Sequence, residues 1–515
     1  MDQSDIVSLA DAKYKPVDGG ATYLGTYSSI SYKNLLTQQV SNRASKSWGK
    51  GEYIIVGADD SDCSEDELLA KWKELSSYGN QYLILQVPDT GWKVFNAKGE
   101  YLGNEDYIER CFNLPPVIST TDTVNADYLR AMRTKPFLLL AGISGTGKSR
   151  IVKQMAFDSC PDGKLREDKT SPGNYCLIEV KPNWHDSTEL LGYESKIGGE
   201  HYVLTPFVKF LAKAMLHPNI PFFVCLDEMN LAPVEQYFAE FLSVLESRTK
   251  LDNGHIVSEP LIKADIFHKY PALAKDLFSL EEKSDYNGNG TSDPAAPYGK
   301  EAEVYETLKR EGVRIPENVI VIGTVNMDET THQFSRKVID RAMTIEMNLP
   351  DGNPFMDFYN NSSQLIYREN PTSPSSYLST EVKASDVIKL LAADNAEKTE
   401  WLKGEVAKFL NDLNANLDGT PFKVAYRVQN ELLLYFYQSW LEDKSAKWRD
   451  ILTSSCDRIL MMKVLPRIEG DEELLEQPLE KLHQFFEYND YKESKNKIVE
   501  MQSRLEKAHF TSFWP

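Results

Sequence analysis

A chain of 515 residues is too long for one typical hydrophobic core and implies roughly two to four domains. At 41% hydrophobic and 26% charged it has an ordinary soluble balance, which argues against wholesale disorder, and no run approaches the ~18 apolar residues needed to span a bilayer. The net charge of -20 is not the footprint of a protein that wraps nucleic acid nonspecifically, although it leaves room for a local basic patch or a basic pore built by several subunits.

The opening segment MDQSDIVSLADAKYK is polar and acidic, without the apolar stretch that a signal peptide needs. Residues 1–120 read as a separate small α/β domain. GEYIIVG (51–57), QYLILQV (81–87) and GWKVFN (91–96) have strand character, the last two joined through the turn Pro88-Asp89-Thr90-Gly91. Between the first two strands a helix is expected, with Ser64 as N-cap and Glu67 as its capping-box partner. Pro115, Pro116 and STTDT (119–123) read as a linker.

Residues 121–350 alternate apolar runs with helical patterns. FLLLAGI, CLIEV, PFFVCLDE and ENVIVIGTVN suit central strands of a parallel sheet, buried on both faces, in a doubly wound α/β domain. The stretch 250–316, with NGNGTSDPAAPYG (287–299), interrupts this pattern and is expected to be a mobile insertion or loop. In residues 351–515 the strand signal is lost, and helical spacing predicts a helical C-terminal domain. The six cysteines (Cys63, Cys111, Cys160, Cys176, Cys225, Cys456) form no CxxC pair and no Cys/His cluster, which fits a reducing cytoplasm and argues against a structural zinc site.

Three strand tips carry chemistry. Gly142-Ile-Ser-Gly-Thr-Gly-Lys148-Ser149 matches G-x-x-x-x-G-K-[ST], follows the strand FLLLAG and precedes the helical SRIVKQMAF. In such a loop Gly142, Ser144, Gly145, Thr146 and Gly147 let backbone N–H groups close around phosphate oxygens. Lys148 reaches the β- and γ-phosphates, and Ser149 ligates Mg²⁺. PFFVCLDEMN (221–230) ends a strand in two carboxylates, Asp227 for the metal's water shell and Glu228 to polarise the attacking water. ENVIVIGTVNMDE (317–329) ends a strand in Asn326, an amide suited to orienting that water. Arg336 and Arg341, on an expected helix in FSRKVIDRAMTIEM (334–347), are candidates to act on a neighbouring subunit's γ-phosphate. Arg427 is a candidate to reach the nucleotide in cis; core packing around Tyr426 or a local ion pair is the competing explanation.

LDEMNLAPVEQYFAEFLSVLESR (226–248), GTVNMDETTHQFSRKVIDRA (323–342) and KVLPRIEGDEE (463–473) resemble the McrB family of AAA+ NTPases. WHDSTELLGYES (184–195) and LTPFVKFLAKA (204–214) fit the same pattern, and the resemblance covers about 130–480. It implies an AAA+ core with a helical lid and a hexameric ring with nucleotide at subunit interfaces. It also implies a separate McrC-like nuclease subunit, and DNA recognition through the N-terminal domain or a partner. In that family's terms Gly142, Gly147, Lys148 and Ser149 form Walker A, Asp227 and Glu228 Walker B, and Asn326 sensor I; Arg341 is the preferred arginine finger and Arg427 sensor II. The family's Met-Asn-Thr-Ala-Asp signature is replaced by Val325-Asn326-Met327-Asp328-Glu329, and no Asn-Lys-x-Asp motif reads guanine, so ATP and GTP both stand as substrates. The sequence contains no nuclease motif. The expectation is a cytoplasmic Mg²⁺-dependent triphosphatase driving DNA for a partner nuclease, without a membrane; a MoxR-like remodeller of protein complexes is the alternative.

Overall fold

The computed structural model describes residues 126–161, 163–278, 299–327, 332, 334–347, 365–368 and 371–514, together with the backbone of four earlier strands. The chain divides into two compact units, Met1–Val117 and Ile118–Pro515.

In the first unit the strands are β1 (Glu52–Val56), β2 (Gln81–Val87), β3 (Gly91–Asn96) and β4 (Tyr101–Asn104), paired in that order. β1 runs parallel to β2, with Ile54 opposite Leu83, while β2–β3 and β3–β4 are antiparallel. β4 was not expected from the sequence: Tyr101-Leu102-Gly103-Asn104 is short and half polar. The helix expected from Ser64 and the linker at Pro115–Thr123 lie outside the described residues.

The second unit is built on a five-stranded, all-parallel sheet: β5 (Phe137–Gly142), β6 (Tyr175–Glu179), β7 (Phe222–Asp227), β8 (Val319–Asn326) and β9 (Met343–Glu346), in the order β9-β5-β8-β7-β6. Side chains alternate faces along a strand, so an unbroken apolar run needs a core on each side. Leu138 and Leu140 of β5, Phe223 and Cys225 of β7, and Ile320 and Ile322 of β8 enter one core. Phe137, Leu139, Phe222, Val224, Val319 and Val321 enter the other. The first face is covered by α1 (Ala126–Thr134) and α2 (Lys148–Ser159), the second by α3 (Pro206–Leu216) and α4 (Ala239–Glu246).

The insertion expected at 250–316 is folded in its described parts, which corrects the loop reading. Short antiparallel pairs join 249–250 to 256–257 and 260–262 to 313–314, and α5 (Lys300–Glu311) buries Val304, Tyr305 and Leu308. Most of the Gly/Asn-rich stretch lies outside the described residues. A single turn, α6 (Arg336–Ile339), precedes β9.

Beyond β9 come α7 (Ala384–Asp394), α8 (Ala396–Asn416), α9 (Tyr426–Glu442), α10 (Trp448–Ile459), α11 (Glu472–Tyr488) and α12 (Lys492–Ala508). One helical pattern in the sequence becomes two helices because Asn395 caps α8, its side chain accepting from Lys398 N at 2.9 Å. The helical region is not free of strand: 469–471 pairs with 510–512. Its core is continuous with the α1/α2 face of the sheet, and buried Arg133 of α1 docks α9 by donating to Gln438 and to the Ser376 carbonyl, each at 2.9 Å. Among the described residues no helix is long and apolar enough to cross a membrane.

Phe137 is fully buried, its ring 5.4 Å from that of Phe238 and 6.3 Å from that of Phe241. Phe137→Ala should cost about 3–5 kcal/mol in denaturant unfolding; a loss under about 1 kcal/mol would contradict this packing.

Candidate functional site

In a parallel sheet all strands end on one edge, so Gly142, Glu179, Asp227, Asn326 and Glu346 share an edge. Placing β8 between β5 and β7 sets Asn326 beside Gly142 and Gly323 beside Leu226. The three strand tips singled out in the sequence are therefore neighbours.

From β5 the chain turns through a loop into α2. Gly145 and Gly147 have φ of 82° and 83°, a region that disfavours side chains, and a Cβ at Gly142 would stand 2.4 Å from the Met347 carbonyl oxygen. Ile143, Ser144 and Gly145 are exposed at the rim. Thr146 Oγ1 donates to Ile143 O at 3.1 Å, bracing the loop. The first N–H groups of α2 have no partner within the helix and carry the positive end of its dipole into the loop. Lys148 is 5% exposed and its ammonium donates to Gly142 O at 3.0 Å and Ile143 O at 2.7 Å. The loop thus holds a cation, a helix N-terminus and flexible backbone at one point, a combination suited to phosphate.

Across from it, Asp227 Oδ1 accepts from Ser149 Oγ at 2.5 Å and from Thr324 Oγ1 at 2.7 Å. The Thr324 hydroxyl in turn accepts from Glu228 N–H at 3.0 Å, so one side chain fixes both acidic positions. Glu228 sits at φ 51°, ψ 50°, left-handed backbone that costs a non-glycine residue about 1–2 kcal/mol. Asn326 Nδ2 donates to Glu228 Oε1 at 3.3 Å, and Asn230 Nδ2 donates to Asn326 O at 3.2 Å. Thr324 and Asn230 were missed in the sequence. Thr324 had a signal: it and Asn326 stand two apart, on one face of an otherwise apolar strand. Burial and nearby Asp227 push the Cys225 thiol up to about 12, leaving it an inert core group.

The arginines lie elsewhere. β9 runs alongside β5 with Met343 opposite Leu138, so Arg341, just before β9, lies toward the sheet edge opposite Gly142. Four residues of strand separate Leu138 from Gly142, about 13 Å at the usual rise. The expected helix carrying both Arg336 and Arg341 is only the turn α6, and Arg341 falls beyond it, donating to Lys337 O at 2.9 Å. Arg336 donates to Pro421 O at 3.3 Å and lies over the Phe422 ring at 4.7 Å. Arg427 is not brought to the loop: its Nε donates to Glu246 at 3.0 Å, and Glu246 also pairs with Lys135, just before β5, at 2.7 Å. Burial raises the Glu246 carboxyl, but Lys135, Arg427 and Arg341 outweigh it and hold the group below its ordinary value. Tyr426 is exposed, which removes core packing as the explanation for its neighbour. Asp328 and Glu329 lie outside the described residues.

A family described only as a domain of unknown function, DUF8727, matches residues 379–510, the helical region. No curated protein matches the chain.

The backbone at Glu228 yields a prediction independent of activity. Glu228→Gly should be more stable than Glu228→Ala by about 1 kcal/mol, the reverse of the usual order, because only glycine adopts φ 51° without strain. Equal stabilities, or a more stable alanine variant, in paired thermal melts would contradict the strained geometry.

Proposed function

We propose that this chain is an Mg²⁺-dependent nucleoside triphosphatase of the AAA+ type, a ring motor resembling McrB. The observation that carries this reading is the convergence, on one sheet edge, of the Gly142–Ser149 loop with Asp227, Glu228 and Asn326.

The chemistry follows from what each group can do. Loop N–H groups and the α2 N-terminus bind the β-phosphate oxygens. The Lys148 ammonium exchanges its two carbonyl partners for β- and γ-phosphate oxygens, a stronger charge-assisted contact. Ser149 Oγ and Asp227 Oδ1 already converge, and these hard oxygen donors suit Mg²⁺, which keeps waters and phosphate oxygens in most of its positions. The ion supplies charge neutralisation of the phosphates when bound. Glu228, held by its own N–H and by Asn326, aligns the attacking water and accepts its proton.

The second requirement, an arginine on the γ-phosphate in addition to Lys148, is assigned to another chain. Met343, two residues after Arg341, pairs with Leu138, about 13 Å along the strand from Gly142. Arg427 lies near Arg341, 4.0 Å from Asp340, so the two together form one arginine-bearing face toward a neighbour. This supports a ring with nucleotide at subunit interfaces, in which Arg427 would belong to that face. The McrB resemblance extends the proposal to a hexamer that acts on DNA and delivers it to an McrC-like nuclease subunit, with the N-terminal unit reading the target. ATP and GTP are both carried as substrates.

Lys148→Ala should weaken Mg²⁺-nucleotide binding by about 10- to 100-fold in a fluorescent-nucleotide titration, and unchanged affinity would refute the site. Arg341→Ala should bind normally but turn over about 1,000-fold more slowly. Mixing it with Glu228→Gln subunits, which cannot cleave but still supply Arg341, should restore turnover. No restoration on mixing would refute the action in trans.

A further inference from the structure

The motif KVLPR (463–467) has no part in the chemistry above, yet it lands on the arginine-bearing segment. α10 ends in a single π-turn, Leu460–Val464, a widening of the helix that recurs at functional sites. It delivers Lys463 into the protein with its side chain 1% exposed. The ammonium donates to Asp340 O at 2.8 Å and Ala342 O at 2.6 Å, the carbonyls on either side of Arg341. It also pairs at 2.9 Å with Glu431 of α9, itself 2% exposed. One turn further on, Arg467 Nε lies 3.1 Å from the Asp340 carboxylate.

These contacts differ from ordinary packing. Burial pushes the Lys463 ammonium down to about 8, more than Glu431 and Asp340 raise it. A buried ion pair contributes little net stability when both charges are compared with apolar replacements, so stability alone does not account for it; replacing Lys463 by itself leaves buried Glu431 with Lys135. What the ammonium supplies that an apolar chain cannot is a fixed orientation for the two peptide groups flanking Arg341, and thus the direction in which that arginine leaves the surface.

We propose that Lys463, assisted by Arg467, is the positioning residue for Arg341: the helical region sets the aim of the arginine that one subunit presents to its neighbour's nucleotide. The inference rests on the reading of Arg341 given above. It assigns a role to the KVLPR motif and makes the α9–α10 region part of the machinery for turnover rather than for nucleotide binding.

The test is a double-mutant cycle on the full chain, reading kcat and nucleotide affinity. Lys463→Met should lower kcat by about 10- to 100-fold, the penalty for misplacing a catalytic group by about 1 Å, with nucleotide affinity close to wild type and a lowered Tm, because buried Glu431 keeps only Lys135. Added to Arg341→Ala it should lower kcat no further, because it acts through that arginine. Where Lys463→Met fails to fold, Arg467→Gln, which removes the Asp340 ion pair and a long hydrogen bond to Lys423 O, should show a smaller loss that also disappears in the Arg341→Ala background. Wild-type turnover in the folded variant, or losses that multiply in the double variant, overturns the proposal while leaving Arg341 in its role. Full turnover in Arg341→Ala alone overturns both.

Discussion

Asp227 Oδ1 accepts two hydroxyl protons, from Ser149 at the start of α2 and from Thr324 on β8. Through these bonds the carboxylate at the tip of β7 fixes the helix that follows the loop and the strand that carries Asn326. Thr324 passes the constraint on to the Glu228 N–H, and Asn326 holds the Glu228 carboxylate. A carboxylate acceptor makes the Asp227 bonds and the Asn326–Glu228 bond stronger than a neutral pair such as Glu228 N–H to Thr324. The arrangement also explains the left-handed backbone at Glu228: β7 must end there, with Asp227 still in strand geometry and the next side chain turned toward β8. Strain held in place by surrounding bonds is a recurrent mark of functional sites.

The sheet separates two kinds of charge. Its C-terminal edge gathers the loop, Lys148 and the acidic pair. Beyond the other end, Lys135, Glu246, Arg427, Glu431, Lys463, Asp340 and Arg467 form a chain of ion pairs around Arg341. In the reading proposed above, a monomer would hold part of a phosphoryl-transfer site at each edge, and a second copy would be needed to close it. Head-to-tail contact between unlike edges is the heterologous contact that generates rings. The proposed ring therefore has a topological argument beside the resemblance to McrB.

Much of this was legible in the sequence because strong local rules apply. Three of the four apolar runs read as buried strands because both faces of the parallel sheet are covered there, so no polar alternation breaks them; CLIEV, expected to be a central strand, is instead the edge strand β6, only half-buried and with Leu177 exposed. The loop was legible because its glycines and Lys148-Ser149 hold fixed spacings. Thr324 escaped because a hydroxyl in an apolar strand is easily taken for a β-former. The folded part of 250–316 escaped because its elements are only two to six residues long apart from α5. The place of Arg427 beside Glu246 was not legible for a different reason: it depends on how α9 docks against α1 and α4, a long-range outcome that no local pattern encodes. The same holds for Lys463, whose importance lies in two carbonyls more than a hundred residues earlier.

The most direct measurement of the central claim is steady-state phosphate release from ATP and from GTP by the purified full chain, with and without Mg²⁺, using Glu228→Gln as the blank. The account predicts Mg²⁺-dependent release with at least one of the two nucleotides that falls to background in the blank while nucleotide binding persists. Release that survives Glu228→Gln, or none with either nucleotide even when subunits are concentrated enough to assemble, would contradict it.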